Sequence, residues 1–208
     1  MILKDKRVLI TAGPTWVPID RVRIISNIAT GETGILLAKE LQSLGAQVTL
    51  LLGPAESCCL NKKIRLIRFQ FFDELKHLII KELKTKKYDI VIHSAAVSDY
   101  RPAQTYSGKV KSSLKNWRLN LVPTTKIIDA IKRADRSLCL VGFKFEPYAP
   151  KTRLIRDSRI LLNRKSCNLV VGNTVKDGRY VAYIIQRNRV FGPIFKKERL
   201  VKDLVGKL

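Results

Sequence analysis

The sequence predicts an α/β fold: a mainly parallel sheet with helices on both faces, extended by a C-terminal β-hairpin and a closing helix. Three observations predict it. Apolar, β-branched runs alternate with segments whose apolar residues recur at three-and-four spacing. The runs are apolar at successive positions, as strands covered on both faces must be. The stretch from residue 180 onward breaks the alternation.

Taken in order, "RVLITAG" at 7–13 reads as the first strand and "GILLAKELQSLG" as the first helix. "QVTLLLG" at 47–53 and "IRLIRF" at 64–69 are the next strands, and "FFDELKHLIIKELKTK" is the second helix. "DIVIHSAA" at 89–96, the helix "TTKIIDAIKRAD" and the strand "SLCLVGFKF" at 137–145 continue the pattern. The helix "TRLIRDSRILLNRK" and the strand "NLVVGN" at 168–173 complete it, each helix carrying Gly or basic residues near its ends. "YVAYIIQRNRVFGPIF" reads as two short strands about a turn, and "KKERLVKDLVGKL" as an amphipathic closing helix. No internal repeat, low-complexity block or long linker interrupts residues 1–208, so one domain is expected.

Composition bounds the partners. Forty Lys+Arg against 17 Asp+Glu give a formal charge of +23, which favours acidic ligands. The basic residues recur along the whole chain instead of gathering in a tail or among aromatics, so a generally basic surface is expected and a specific nucleic-acid partner is not. Cys58, Cys59, Cys139 and Cys167 form no C-x-x-C pair and have no His cluster nearby, so no metal site or disulfide framework is indicated and a reducing cytoplasm is expected. No apolar run approaches the roughly 20 residues of a membrane span.

In an open α/β sheet, ligands sit beyond the carboxyl ends of the strands, which directs attention to three loops. After the first strand comes "TAGPTWVPIDRVRIISNIATGETG". It is long for a strand-to-helix connection. Thr30 is expected as a helix N-cap, with Gly31 and Gly34 opening a helix whose N–H groups suit phosphate. Arg23 can grip a carboxylate or phosphate with a forked pair of bonds, and Asn27 can hold an amide or carboxyl group. A surface ion pair and a turn side chain are the plain alternatives.

The second loop, "HSAAVSDYRPAQTYSGKVKSS", places Ala95 and Ala96 where backbone could lie against a flat ligand, Asp99 at the rim, and Lys109 on a polar flap. An ordinary basic surface loop is its plain alternative. In the third, "VGFKFE", Phe143 could stack on a base or belong to the core. Arg164 and Lys165 follow at a helix end, where they could simply complement the helix dipole.

Together these segments resemble the phosphopantothenoylcysteine synthetase family. The likeness lies in "TAGPT", then "PID-VR-ISN" with "G-TG", then "AAVSDYRP" with "K-K", then "VGF--E", then "RK--NLVV-N", in that order and over nearly the whole chain. The resemblance implies a Rossmann-like fold, usually dimeric. It implies a ligase of coenzyme A biosynthesis that converts 4'-phosphopantothenate to an acyl-nucleotide with a nucleoside triphosphate and Mg²⁺, then passes the acyl group to cysteine. CTP is the expected nucleotide, ATP being that of the eukaryotic form. The flavin-dependent decarboxylase half found in many bacterial versions is expected to be absent here, because residue 1 lies just before the first strand, which leaves a separate decarboxylase possible as a partner.

By the same resemblance, Asn27 and Arg23 hold the phosphopantothenate part beside Ala95, Ala96 and Gly31. Lys109 meets the phosphates. Asp99, Thr125, Lys126, Ile127, Ile128, Phe143 and Lys165 contact the nucleotide. The chain departs from the family at Trp16 and Val17 (commonly Arg-Glu), Glu32 (often Lys), "PTTKI" at 123–127, Leu161 (Lys) and Asn168 (Asp). Two other readings compete: an NAD(P)-dependent oxidoreductase and a basic nucleic-acid-binding protein. Neither G-x-G-x-x-G nor a nucleic-acid motif stands where it should.

Overall fold

The β-branched runs form one large sheet in a computed structural model that describes residues 3–55, 60–164 and 167–208. The first part of the chain runs β1 (Arg7–Ala12), β2 (Trp16–Pro18), β3 (Ile24–Ser26), α1 (Glu32–Ser43), β4 (Gln47–Leu52), β5 (Arg65–Arg68) and α2 (Phe72–Thr85). The middle comprises β6 (Ile90–His93), β7 (Tyr100–Pro102), β8 (Leu121–Pro123), α3 (Ile127–Ala134), β9 (Cys139–Phe145) and α4 (Lys151–Arg164). The chain closes with β10 (Leu169–Lys176), β11 (Arg179–Ile185), β12 (Val190–Ile194) and α5 (Lys197–Val205).

The eight-stranded sheet has the order β12-β11-β10-β9-β6-β1-β4-β5. From β10 to β5 neighbouring strands are parallel, and β11 and β12 add an antiparallel margin. This is a Rossmann-like doubly wound sheet. Alternate residues serve its two layers, which is why the strands read as unbroken apolar runs. Val8, Ile10, Val48 and Leu50 pack with Leu37 and Leu41 of α1 and Leu200 and Leu204 of α5. Leu9, Leu51, Val91 and Leu140 face Leu75 and Ile79 of α2, Ile131 of α3 and Leu162 of α4.

The six expected strands and four expected helices are all present, with ends moved by a few residues. The C-terminal hairpin is less separate than an appendage, because β11 pairs with β10 from Val170 to Lys176, all but its first residue. The turn between them is Asp177–Gly178, both at positive φ (49° and 70°), the geometry whose twist matches two antiparallel strands. At the margins of the sheet, β5 carries Arg65 and Arg68, and β12 carries Pro193, which has no N–H to offer a further strand.

Two small sheets, β2–β3 and β7–β8, were not predicted. Each strand has only three residues, too few for a period to be read. They lie in the segments that follow β1 and β6. The departure at Trp16–Val17 belongs here. Val17 is buried in the α2 layer, and Trp16 meets Phe71 edge-on at 6.1 Å while its N–H bonds the Gln70 carbonyl. These apolar residues dock the small hairpin on the start of α2.

Candidate active site

The chain leaves β1 toward β4 on one side and later returns to β6 on the other, so the connections that follow β1 and β6 part at a switch point, where an open α/β sheet has its crevice. Small residues keep the two strands together past the sheet. The Ala96 N–H bonds Gly13 O at 2.9 Å, Thr15 N–H bonds Ala96 O at 3.3 Å, and Pro14 and Ala96 form a parallel bridge. The Ser94 hydroxyl donates to Thr11 O at 2.7 Å, and the Ser98 N–H donates to Thr15 Oγ1 at 2.9 Å. His93 Nδ1 lies 2.8 Å from Thr11 Oγ1, which also accepts the Ala95 N–H at 3.3 Å. Burial pulls the His93 pKa from 6.5 down to about 4, so the ring is neutral near pH 7.

The first helix opens on this floor. Its N-cap is Gly31, at φ 71°, and not Thr30 as expected; Thr30 Oγ1 only accepts the Glu32 N–H at 3.4 Å. A side chain at Gly31 would be strained by that φ and would approach Gly13 N to 3.2 Å. At Gly34 a Cβ would stand 2.3 Å from Ala12 Cβ and 3.0 Å from Ser94 Oγ. The two glycines thus let α1 begin against the crevice floor. Glu32 in its first turn is paired with Lys197 of α5.

Asn27 reaches the other wall. Its Nδ2 donates to Ala96 O at 3.2 Å and Val97 O at 3.1 Å, so Asn27 meets Ala96 directly, with Ala95 the next residue along the chain. Arg23 is turned differently from the expectation. Its guanidinium bonds Asp20 Oδ2 at 2.5 Å and Val110 O at 3.3 Å through both Nη1 and Nη2, and lies 5.1 Å from the Trp117 ring centroid. Asp20 in turn accepts N–H groups of Val22 at 2.8 Å and Arg23 at 2.7 Å on Oδ1, and of Val110 at 3.1 Å on Oδ2. Burial raises the Asp20 pKa, but these bonds outweigh it and hold it at about 2. Asp20 was not singled out in the sequence. Its signal was present, an Asp after Pro-Ile whose carboxyl can bond the backbone two residues on. Lys109 precedes Val110 on the flap and is exposed, so the flap lysine is tethered to the hairpin that leads into Asn27.

On the far side, Asp99 forms an ion pair with Lys126 at 2.5 Å. Thr124 N–H bonds Asp99 O at 2.9 Å, bringing the start of α3 beside the end of the β6 loop. Thr125 and Lys126 are exposed there. The side chains of Ile127 and Ile128 belong to the core, 2% and 8% exposed, which leaves their backbone as the part that a ligand could meet. Phe143 is half-buried against the α1 layer at the end of β9. Lys165 lies outside the described residues, as do Cys58 and Cys59. Asn168, where the resemblance expects Asp, accepts the Leu140 N–H on Oδ1 at 2.9 Å, a bond for which an amide oxygen suffices. Leu161 packs in the α2–α3–α4 layer over Gly142. Among the described residues no cluster of three His, Cys, Asp or Glu could hold a metal, and no helix is long and apolar enough to cross a membrane.

The chain is similar to known proteins in sequence and in fold. The sequence pattern described as the DNA/pantothenate metabolism flavoprotein C-terminal domain matches residues 3–202. The coenzyme A biosynthesis bifunctional protein CoaBC of Thermococcus kodakarensis is 40% identical over 174 residues, covering 84% of this chain and 42% of that protein. A cysteine/cysteine sulfinic acid decarboxylase from an unknown prokaryotic organism is 36% identical over 176 residues, covering 84% of this chain and 47% of that protein. The chain therefore spans less than half the length of these relatives. The solved DNA/pantothenate metabolism flavoprotein from Streptococcus pneumoniae shares the fold with a TM-score of 0.87 at 24% identity, over 97% of each chain. A match that runs from the residues before β1 into α5 leaves no element of the sheet outside it: the chain belongs to the DNA/pantothenate metabolism flavoprotein C-terminal domain family.

Proposed function

We propose that the protein is a phosphopantothenate–cysteine ligase of coenzyme A biosynthesis, using CTP in preference to ATP and acting in the cytoplasm. The observation that carries the reading is Asn27 seated on Ala96 O and Val97 O at the mouth of the β1/β6 crevice, with the Lys109 flap tethered to the same hairpin. The name of the Thermococcus relative, which places it in coenzyme A biosynthesis, supports the pathway.

In this reading the substrate carboxylate attacks the α-phosphorus of the triphosphate. Pyrophosphate leaves, and an acyl-cytidylate remains on Asn27. The cysteine amine then attacks the acyl carbon, and CMP leaves with both electrons of the broken C–O bond. Carboxylate and polyphosphate repel one another, so Lys109 offsets the charge that gathers as they meet. Asp99, Thr125, Lys126, the backbone of Ile127 and Ile128, Phe143 and Lys165 hold the nucleotide. Asp99 is a single carboxylate already paired with Lys126, a donor set that fits Mg²⁺ arriving on the phosphate oxygens and not a resident ion. When bound, Mg²⁺ supplies further charge neutralisation on the triphosphate.

A homodimer suits the exposed apolar residues around the two small sheets. Val22, Ile24, Ile28, Tyr100 and Leu121 are 39–107% exposed and lie on or beside β2–β3 and β7–β8. A flavin-dependent decarboxylase would use the product.

The test incubates the protein with phosphopantothenate, cysteine and each of the four triphosphates, following products by mass. Pyrophosphate should form only when phosphopantothenate and CTP are both present, and Asn27→Asp or Lys109→Gln should lower turnover about 100-fold or more. Turnover at the unmodified rate in both variants refutes the site, and no product with any triphosphate refutes the ligase.

A further inference from the structure

We infer that Asp20 is a positioning residue for the flap lysine: together with Arg23 it clamps the backbone of Val110 from both sides and so sets where Lys109 stands. The inference rests on the ligase reading for its catalytic consequence, but the clamp itself is a matter of geometry.

The side chain of Asp20 is fully buried, and its two oxygens have separate duties. Oδ1 closes the turn between β2 and β3 by accepting the N–H groups of Val22 and Arg23. Oδ2 faces the flap and accepts the Val110 N–H and the Arg23 guanidinium. Arg23 completes the ring by donating to the Val110 carbonyl. Both backbone polar groups of one flap residue, in two successive peptide units, are thereby fixed to a turn that lies 90 positions away in the chain. Two further ties support the same register. The Tyr106 N–H bonds Ile19 O at 3.0 Å, and Trp117 lies under Arg23 while meeting the Tyr106 ring edge-on at 6.0 Å. Between the ties, a Cβ added at Gly108 would meet nothing within 4 Å. Lys109 therefore stands beside open space while the residue after it is held.

The arrangement also changes the part assigned to Arg23. A guanidinium committed to Asp20 and Val110 would have to leave the clamp to grip a substrate anion. As it stands, it joins the substrate-facing hairpin of Asn27 to the phosphate-facing flap of Lys109.

Asp20→Asn separates the duties because it keeps shape and one oxygen. The remaining oxygen can serve one side of the ring; on the other, an NH₂ group would face N–H donors. Hydrogen exchange on the full chain should rise about tenfold at residues 106–112 while β1 and β6 keep their protection. In the pyrophosphate assay, Asp20→Asn should lower kcat about 100-fold in the unmodified background and by less than about threefold in Lys109→Gln, because a residue that acts through Lys109 has nothing left to position. Unchanged exchange at 106–112, or an equal fall in both backgrounds, overturns the inference. If the unmodified protein releases no pyrophosphate with any triphosphate, the ligase reading fails, and the clamp is decided by the exchange alone.

Discussion

Gly34→Ala puts one carbon where there is no room. The new Cβ would lie 2.3 Å from Ala12 Cβ, against about 3.5–4.0 Å for carbons in contact, a shortfall of about 1.2–1.7 Å. Neither neighbour can yield. Ala12 has no rotamer to change, its Cα is 3.4 Å away, and Ser94 is held by its bond to Thr11 O. The first turn of α1 must therefore move out by more than 1 Å, carrying Gly31 off Gly13 and widening the crevice floor. Overpacking of this kind costs about 1–3 kcal/mol, a fall in Tm of roughly 2–12 °C for a domain of this size. A displacement of about 1 Å at the reacting groups can cost about 100-fold in rate. Thermal melting and pyrophosphate release measure the two effects. Gly206→Ala is the control, because Gly206 has an ordinary helical φ of −65° and an added Cβ there meets nothing closer than 3.5 Å. If Gly34→Ala melts and turns over like the control, the close approach of α1 to the floor is not real.

Other predictions follow from single contacts. The His93 pKa is lowered in the folded protein to about 4 from 6.5, so the unfolded chain binds the extra proton first and stability is lost as pH falls from about 6.5 to about 4. His93→Gln should remove up to about 3 kcal/mol of that dependence, seen as a flatter curve of denaturant midpoint against pH. Asn168→Asp should be nearly neutral because Leu140 needs only an acceptor, whereas Asn168→Ala should cost about 1–3 kcal/mol in urea unfolding. Glu82, buried between Arg65 at 2.6 Å and the Tyr88 hydroxyl at 2.5 Å, should lose about 2 kcal/mol or more as Glu82→Ala, and Tyr88→Phe should lose less. Thermal or denaturant unfolding ranks the two, and the reverse order would contradict the network.

The sheet was legible because burial on both faces leaves a plain signature, and runs such as "VLITA" and "TLLL" admit few other readings. The helices were legible for the same reason at the other period. What the sequence hid was set by contacts far apart in the chain. Three-residue strands such as "WVP" and "YRP" have no period and exist because they pair and dock. Thr30 reads as the better cap, yet the approach of α1 to Gly13 selects Gly31. Asn27 was found through its amide and its motif, while the purpose of Arg23 depends on Asp20 and on Val110 far along the chain. Ile127 and Ile128 sit next to a site and belong to the core, a distinction that spacing alone does not make.

The two margins of the sheet are guarded by different means. At β12 the guard is covalent, a proline ring that offers no hydrogen to an incoming strand, and no solvent condition removes it. At β5 it is electrostatic, Arg68 together with an Arg65 shared with Glu82 on a chain of charge +23, and its reach shrinks from about 10 Å in 0.1 M salt to about 3 Å in 1 M. Concentrated salt should therefore weaken the guard at β5 and leave the one at β12 as it is.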